Sequence, residues 1–358
     1  MQQSLNRLAV VIVIICLLFS STACASDNQQ MQMGRTVSKK SKVLAVRNRG
    51  TPIKEIEIAR PKITKRVKRA YKGAHRVASI NHPFRNYRNL YCRNRMTSAQ
   101  KAAYDALDQV CLDFILKKID AQFDAKHSLY YIPTGANIVI ARNEFMPVFI
   151  AFKMANPQYY FLNNAYFVYL DSAGGYTMNL CVYSKFHDGV SRYAASRKFI
   201  GKINTLARMV KSKVAGKDSV TALKYVHNFI AYNCTYDDEM AAKVNTDKYC
   251  SQSAWSMIAN KKGVCVGYAS LYALLCTKIG LNVVQITSKT HCWNKALVGG
   301  TWYNIDATFD DNITEQLKRH TTDQTFFCIN DAGFKSVSSK NGVLSEHTPN
   351  SYWSSFGL

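Results

Sequence analysis

The sequence is poor in acidic residues, with 23 Asp and Glu against 47 Lys and Arg among its 358 residues, a formal net charge of +24. It has no cysteine pair at the spacing of a zinc knuckle or a redox C-x-x-C motif, and no calcium loop of spaced acidic residues. It has no internal repeat and, after residue 30, no apolar run of the about 20 residues that span a bilayer. These absences argue against zinc, calcium and thioredoxin-like sites, a repeat architecture and a membrane-spanning domain.

The first 25 residues have the pattern of a secretory signal peptide. Arg7 gives a positive start, residues 8–19 are an unbroken apolar run, and Ala23-Cys24-Ala25 is a small-residue cleavage motif. A retained N-terminal anchor and lipidation at Cys24 are the alternatives, although the residues before Cys24 lack the large aliphatic side chain that a lipoprotein signal favours. We therefore expect a secreted or cell-surface protein with a signal peptide over residues 1–25.

Nine of the eleven cysteines lie outside this signal region. Exported proteins commonly form disulfides. Nine is an odd number, however, so at least one thiol is expected to be free or paired between chains. The even-spaced framework of a small disulfide scaffold is also missing, so the sequence leaves the pairing open.

Positive charge is concentrated in residues 26–95, which hold 19 Lys or Arg against three acidic residues. A basic stretch with little apolar periodicity is typical of a disordered tether, which we predict over 26–85. A short basic helix over 62–80 is an alternative within it. The segment is either a solvated linker or an electrostatic anchor to anionic cell-wall polymer or lipid headgroups. Nucleic acid matches the charge but is not expected to be the partner of an exported protein.

From residue 86 the composition is that of a globular protein, in a sequence that is 47% hydrophobic and 12% aromatic. We predict an N-terminal α+β region over 86–215, packed on a catalytic domain over 216–358. The pattern predicts helices over 97–115, 138–154, 197–214 and 220–232, and a hairpin whose strands are 166–171 and 176–183.

The segment GVCVGYASLYALLCTKIG at 263–280 carries the first pattern with chemical meaning. From Cys265 onward the apolar residues follow helical spacing, and Gly280 ends the predicted helix. Cys265 is thus placed in the first turn, where unpaired backbone N–H groups and the helix dipole favour a thiolate and could hold an oxyanion. On its own, a cysteine at a helix start is more often structural than catalytic.

Residues 291–298 and 301–308 form a second pattern. They are two strand-like runs separated by Gly299-Gly300, which is the signature of a tight hairpin. If the two glycines form the loop, Val298 faces Thr301, and the register of the whole hairpin follows.

In that register Trp293 faces Asp306, and His291 lies two residues from Trp293. His291 and Asp306 are then diagonal neighbours on one face of the sheet, about 7–8 Å apart at the backbone. The carboxylate could hold the imidazole tautomer and leave the other ring nitrogen for a thiol. Taken singly, each residue is more simply interpreted as a strand-end side chain with a structural role.

Three segments resemble the transglutaminase-like superfamily, which has a papain-type fold, and especially its exported bacterial members. They are VHNFIAYNCTYDDE at 226–239, GVCVGYA at 263–269 and HCWNKALVGGTWYNIDATFDD at 291–311. The resemblance covers about residues 220–312 and is loose over 86–215. It implies an α+β protein with a papain/transglutaminase-like core, in which the nucleophile helix packs on an antiparallel sheet, plus the N-terminal α+β region.

The same resemblance implies a catalytic triad in which Cys265 is the nucleophile, His291 the general base and acid, and Asp306 the residue that orients His291. Two positions depart from the family pattern: Cys292 stands where a small residue is common, and Phe309 replaces the usual Trp. We expect Cys292 to point away from the face that carries His291.

The implied activity is thiol acyl transfer without a cofactor or metal. We favour a cysteine protease or amidase that hydrolyses amide or isopeptide bonds in surface proteins or cell-wall peptides. The alternatives are a protein-crosslinking transglutaminase and a catalytically inactive cell-surface binding module. Because all three triad positions match the family, the inactive module is the weaker alternative.

A few other residues have a chemical character that needs interpretation. Gln252 and Trp255 precede the nucleophile and could supply an oxyanion donor, although Trp255 is more simply a core residue. His127, His227 and His320 have no partner pattern and are interpreted as structural.

Overall fold

The computed structural model describes residues 53–60, 83–133, 140–170, 174–241, 250–311 and 324–358. Residues 39–358 form one compact unit. The predicted signal peptide, the basic helix over 62–80 and His320 lie outside the described residues. No helix among those described is long and apolar enough to cross a membrane.

The helices and strands of the described residues alternate along the chain. The helices are α1 (Tyr91–Asn94), α2 (Ser98–Ile115), α3 (Phe145–Ala155), α4 (Gly189–Lys213), α5 (Ser219–Asn233), α6 (Asp238–Ala241), α7 (Ala254–Ala259), α8 (Cys265–Lys278) and α9 (Asp331–Lys340). The strands are β1 (Lys54–Glu57), β2 (Gln122–Asp124), β3 (Leu129–Ile132), β4 (Leu162–Leu170), β5 (Tyr176–Val182), β6 (Thr235–Tyr236), β7 (Lys262–Gly263), β8 (Val283–Thr287), β9 (Cys292–Val298) and β10 (Thr301–Ile305). Short 3₁₀ helices occupy Pro83–Tyr87, Arg142–Glu144, Ser184–Phe186 and Ser351–Phe356.

The N-terminal region contains a five-stranded sheet in the order β1-β4-β5-β3-β2. Its centre is the hairpin that the sequence predicts, with β4 antiparallel to β5 and Leu170 opposite Tyr176. Tyr159, Tyr160 and Phe161 precede β4 and are buried, so this aromatic run packs in the core.

Strand β1 differs from the predicted disordered tether over 26–85 at residues 54–57, and most of the rest of that segment lies outside the described residues. Residues 54–57 pair in parallel with β4, with Lys54 opposite Ala165. Glu55 accepts a hydrogen bond of 2.5 Å from the Tyr166 hydroxyl and forms an ion pair of 2.5 Å with Arg142. The charged residues that suggested disorder therefore belong to a sheet edge that is held by specific polar contacts.

Two N-terminal helices show how far local pattern determines an element. Helix α2 begins as predicted, because Thr97 and Gln100 form a reciprocal capping box at its first turn. Helix α3 begins at Phe145, later than the predicted start at 138, because residues 142–144 form a 3₁₀ turn before it. The helices predicted over 197–214 and 220–232 are confirmed as α4 and α5, and both begin earlier than predicted.

A second sheet, antiparallel in the order β10-β9-β8, lies in the C-terminal half. Helix α8 packs on it, and Asn294 of β9 donates a hydrogen bond of 3.1 Å to the Ala269 carbonyl of the helix. Gln285 of β8 donates to the Met154 carbonyl of α3 at 2.7 Å. One apolar core runs through both halves. The α+β fold, with a helix packed on an antiparallel sheet, is as the sequence predicts.

Candidate active site

The hairpin of β9 and β10 has the register that the Gly-Gly loop predicts. Val298 is opposite Thr301 and Asn294 is opposite Ile305, so the next pair in line is Trp293 with Asp306. His291 and Asp306 lie just beyond the strand ends. There His291 Nε2 and Asp306 Oδ2 are 2.5 Å apart, and both side chains are buried. The structure thus brings together the two residues that the hairpin register places on one face.

Cys265 is the first residue of α8, as the sequence predicts. The N-cap residue Val264 provides no side-chain cap, so no capping side chain occupies the first backbone N–H groups of the helix. Gly267 makes this placement feasible, because a Cβ there would lie 2.8 Å from the Ser251 carbonyl oxygen. The glycine lets the nucleophile helix approach the backbone that precedes α7.

Asp306 is held as an ionised acceptor by four hydrogen bonds. Its Oδ1 accepts from the backbone N–H groups of Thr308 at 2.9 Å and Phe309 at 3.2 Å. Its Oδ2 accepts from His291 and also from His347 Nε2 at 2.9 Å. Burial alone would raise the pKa of Asp306, but the His291 charge and the two imidazole hydrogen bonds outweigh it and hold the pKa below its ordinary value.

His291 has one ring nitrogen bound to Asp306 and one without a hydrogen bond of normal geometry. Nε2 binds Asp306, whereas Nδ1 is buried without a well-formed hydrogen bond. Burial would lower the pKa of His291, but the charge and hydrogen bond of Asp306, together with a contribution from the neighbouring Cys265 thiol, raise it to about 10. The Ser288 hydroxyl accepts a hydrogen bond of 3.0 Å from the His291 backbone N–H and fixes the loop that presents the ring.

His347 is the polar neighbour of this site that the sequence interpretation missed. It lies between α9 and the last 3₁₀ helix, 41 positions after Asp306, and its side chain is fully buried. Its surroundings in the sequence, SEHTPN, have no periodicity or motif that marks a site. Only the tertiary fold could have identified it.

A cleft of about 410 Å³ opens beside Cys265 and His291. Both residues line it although their exposed fractions are only 0% and 3%, so they lie at its floor. The other lining residues are Ile53, Met146, Ile150, Met154, Asn164, Val266, Thr287, Ser288, Lys289, Thr290, Asn350 and Tyr352. The lining therefore has an apolar part, which includes Met146, Ile150 and Met154, and a polar part, which includes Thr287, Asn350 and Tyr352.

The two residues considered as oxyanion donors are not among those that line this cleft. Trp255 is stacked on Tyr160 at 5.1 Å, inside an aromatic cluster, which supports the core interpretation. Gln252 is buried, and neither of its amide atoms has a hydrogen-bond partner. It faces a small neighbouring cavity that Val266, the residue after Cys265, also lines.

Asp306, His291 and His347 are the group of side chains in the described ranges whose types and spacing could hold a metal ion. A tetrahedral zinc ion keeps its ligand atoms roughly 3.3 Å apart. The Nε2–Oδ2 distances of 2.5 and 2.9 Å are shorter and belong to hydrogen bonds. The geometry is therefore that of a hydrogen-bonded cluster.

All nine described cysteines are free thiols, and eight of them are buried. The structure therefore shows no disulfide among the cysteines that it describes. Burial raises the pKa of most of the others; it reaches about 12 for Cys92 and for Cys234. Cys265 differs from them in its position beside an imidazole at a cleft.

Residues 206–307 match the family model of the transglutaminase-like superfamily. Among solved structures, the chain is similar to a proposed cysteine protease from Cytophaga hutchinsonii, with 20% identity over 30% of this chain and 37% of that one, at a TM-score of 0.24. It is also similar to a TGase, with 16% identity over 40% of this chain and 50% of that one, at a TM-score of 0.29. The chain thus covers half or less of either structure, and a comparison with curated proteins gave no match. The segment that contains Cys265, His291 and Asp306 thus matches the transglutaminase-like superfamily.

Proposed function

We propose that this protein is an exported thiol acyl-transfer enzyme that hydrolyses amide or isopeptide bonds, with Cys265, His291 and Asp306 as its catalytic triad. The observation that carries the proposal is the state of His291. Asp306 binds Nε2, and Nδ1 has no hydrogen bond of normal geometry and lies beside the Cys265 thiol at the floor of a cleft. An imidazole held in this way can accept the thiol proton.

In the proposed reaction the Cys265 thiolate attacks the carbonyl carbon of the scissile amide. The C–N bond breaks, and His291 gives the departing amine its proton. Water then attacks the thioester, His291 accepts the water proton, and the acyl group leaves as an acid. The uncapped N–H groups at the start of α8 are positioned to stabilise the oxyanion of both steps.

The walls of the cleft support a peptide-like substrate. Met146, Ile150 and Met154 follow helical spacing on α3 and line the apolar wall. A second wall carries a hydrogen-bonded polar group, in which Tyr352 Oη lies 2.6 Å from Thr287 Oγ1 and accepts from Asn350 at 2.9 Å. An apolar side chain next to the scissile amide would bury against the first wall while the peptide backbone meets the second.

Surface proteins and cell-wall peptides are the proposed substrates, in keeping with the export signal predicted over residues 1–25. The basic segment 26–95 is proposed to contact anionic polymer or lipid headgroups near those substrates. Crosslinking by transfer of the acyl group to a lysine-type amine is the second candidate, because the same acyl-enzyme serves both reactions.

The test is selective labelling of Cys265 by a fluorescent thiol-reactive probe, with Cys276→Ala as the matched control. Cys276 is a buried thiol on the same helix. Labelling should vanish in Cys265→Ala, fall in His291→Ala and persist in Cys276→Ala. Labelling of Cys265 no faster than that of the other thiols would contradict the proposal and favour an inactive binding module.

Hydrolysis and crosslinking are separated by the fate of the acyl group. Mass analysis of cell-surface protein and peptide mixtures treated with the wild type or with Cys265→Ala should show cleavage products without amine uptake. Incorporation of a labelled primary amine into glutamine side chains would assign the protein as a transglutaminase instead.

A further inference from the structure

The carboxylate of the candidate triad serves two imidazoles. Oδ2 of Asp306 lies 2.5 Å from His291 Nε2 and 2.9 Å from His347 Nε2. Because Oδ1 is already bound by two backbone N–H groups, all the acceptor positions of the carboxylate are in use. His347 lies outside the segment that matches the superfamily and does not line the cleft. It meets the site through its hydrogen bond to Asp306 and through the His291 ring, at 5.3 Å between ring centres.

The hydrogen bonds of the Ser338 hydroxyl next to Nδ1 of His347 bear on which ring nitrogens of His347 carry a hydrogen. Ser338 Oγ lies 2.7 Å from His347 Nδ1 and 2.6 Å from the Phe334 carbonyl oxygen. The hydroxyl has one proton and can donate to only one of them. If it donates to Phe334, His347 must donate from both nitrogens and be a cation; if it donates to Nδ1, His347 is neutral and donates from Nε2 alone.

The surroundings of the His347 ring are largely aromatic. Its ring is packed against Phe334 at 4.3 Å, Phe309 at 4.8 Å and Phe326 at 5.1 Å between ring centres. This burial lowers the pKa of His347 despite the opposing effect of Asp306. The titratable groups that face it are Asp306, His291 and the adjacent Glu346. In both forms His347 presents an Nε2–H to the Asp306 carboxylate.

We propose that His347 is a positioning residue of this site, whose Nε2–H occupies the second acceptor position of Asp306 Oδ2 and limits how tightly the carboxylate binds the His291 imidazolium. The inference rests on the proposed function, because it concerns the triad of that reaction. A carboxylate that is shared by two donors is a weaker acceptor for each. His291 consequently keeps a basicity from which it can both accept the thiol proton and return it to a leaving amine.

The test is the pH dependence of iodoacetamide alkylation at Cys265, followed by peptide mass mapping of the full chain. It needs no substrate, so its outcome is separate from whether acyl transfer occurs. His347→Phe suits the aromatic surroundings and removes the donor, and Ser338 can still bind Phe334. The midpoint of alkylation should move to lower pH, with alkylation about three- to tenfold faster at the foot of the curve, because a tighter imidazolium stabilises the thiolate.

Two variants distinguish the effect of the Nε2–H donor on the alkylation midpoint from an effect of side-chain packing. His347→Gln retains an amide N–H at about the reach of Nε2 and should return the curve to within twofold of the wild type. His227→Phe removes another buried histidine bound to a carboxylate and should leave the midpoint in place.

The proposal is overturned if the curve of His347→Phe coincides with that of the wild type, or if His347→Gln moves as far as His347→Phe. If circular dichroism shows that His347→Phe does not fold, Ser338→Ala replaces it. Loss of the hydroxyl that holds Nδ1 of His347 should then move the midpoint in the same direction by a smaller amount, and an unmoved midpoint overturns the proposal.

Discussion

Two buried carboxylates that lie four residues apart, Asp306 and Asp310, each bind a histidine, and of His291 and His227 it is His291 that adjoins the Cys265 thiol. His291 binds Asp306 at 2.5 Å, and His227 binds Asp310 at 3.1 Å, in each case from Nε2 to Oδ2. The second nitrogen differs: Nδ1 of His227 lies 3.1 Å from the Asn228 side-chain oxygen, whereas Nδ1 of His291 has no well-formed hydrogen bond. The comparison shows that a buried pair alone does not define a site.

The carboxylates of Asp306 and Asp310 also have different hydrogen-bond partners in the fold. Asp310 accepts hydrogen bonds of 3.0 and 3.1 Å from the Phe326 backbone N–H and so anchors the C-terminal segment. Asp306 instead binds the backbone of its own turn and two imidazoles. One pair is built to hold a chain segment, and the other to hold a ring beside a thiol.

The largest difference in kcat is expected between His291→Gln and His227→Gln. Loss of the general base and acid should lower kcat by about 10²–10⁴-fold, measured on a peptide cleaved by the wild type. His227→Gln should change kcat by only a few-fold and lower the melting temperature. Equal losses of kcat in both variants would remove the distinction between the pairs.

A smaller contrast is expected between the carboxylates. Asp306→Asn should lower kcat by about 10- to 100-fold, since the amide can still be held in place by Thr308 and Phe309 but no longer stabilises the imidazolium. Asp310→Asn should instead lower the free energy of unfolding by about 1–3 kcal/mol because it weakens the Phe326 anchor. Urea unfolding and steady-state kinetics on both variants measure the two effects. A reversed pattern would contradict the assignment.

The difference between the His291–Asp306 and His227–Asp310 pairs also depends on Cys265 being held next to His291. Gly267→Ala should destabilise the protein by about 1–3 kcal/mol, because a Cβ at 2.8 Å from the Ser251 carbonyl forces the backbone apart. Thiol labelling of Cys265 should slow as the helix shifts. The control is Gly201→Ala on α4, where a Cβ meets nothing within 4 Å and the change should stabilise by about 0.5–1 kcal/mol. Equal melting temperatures for the two variants would refute the packing argument.

The smallest effect, expressed per pH unit, is expected on the free energy of unfolding as the pH changes. The pKa of His291 is raised from 6.5 to about 10 in the folded protein, so its stabilisation is complete below pH 6.5 and is lost as the pH rises towards 10. Across this window the folded state binds more protons than the unfolded state, and stability falls with rising pH. His291→Gln should make the slope shallower by at most about 1.4 kcal/mol per pH unit. Unfolding titrations at pH 7 to 10 that give parallel slopes would contradict this.

The sequence pattern predicted those parts of the site that a short turn or a helix start determines. Gly299-Gly300 fixed the register that brings His291 to Asp306, and the helical spacing after Cys265 fixed its first turn. His347 could not be predicted, because its contact with Asp306 joins segments 41 positions apart without periodicity. Strand β1 was not predicted, for a related reason. Its partner β4 lies about 110 residues away, and its charges resemble those of a disordered segment.

Strand β1 also has a consequence for aggregation. With β1 in place, the sheet ends in a four-residue strand that carries Lys54, Glu55 and Glu57. Without it, β4 would become the edge and present nine residues, most of them buried and apolar. Long apolar edges recruit strands from other molecules, whereas short charged ones discourage them. Part of the basic N-terminal segment therefore also protects the folded protein from self-association.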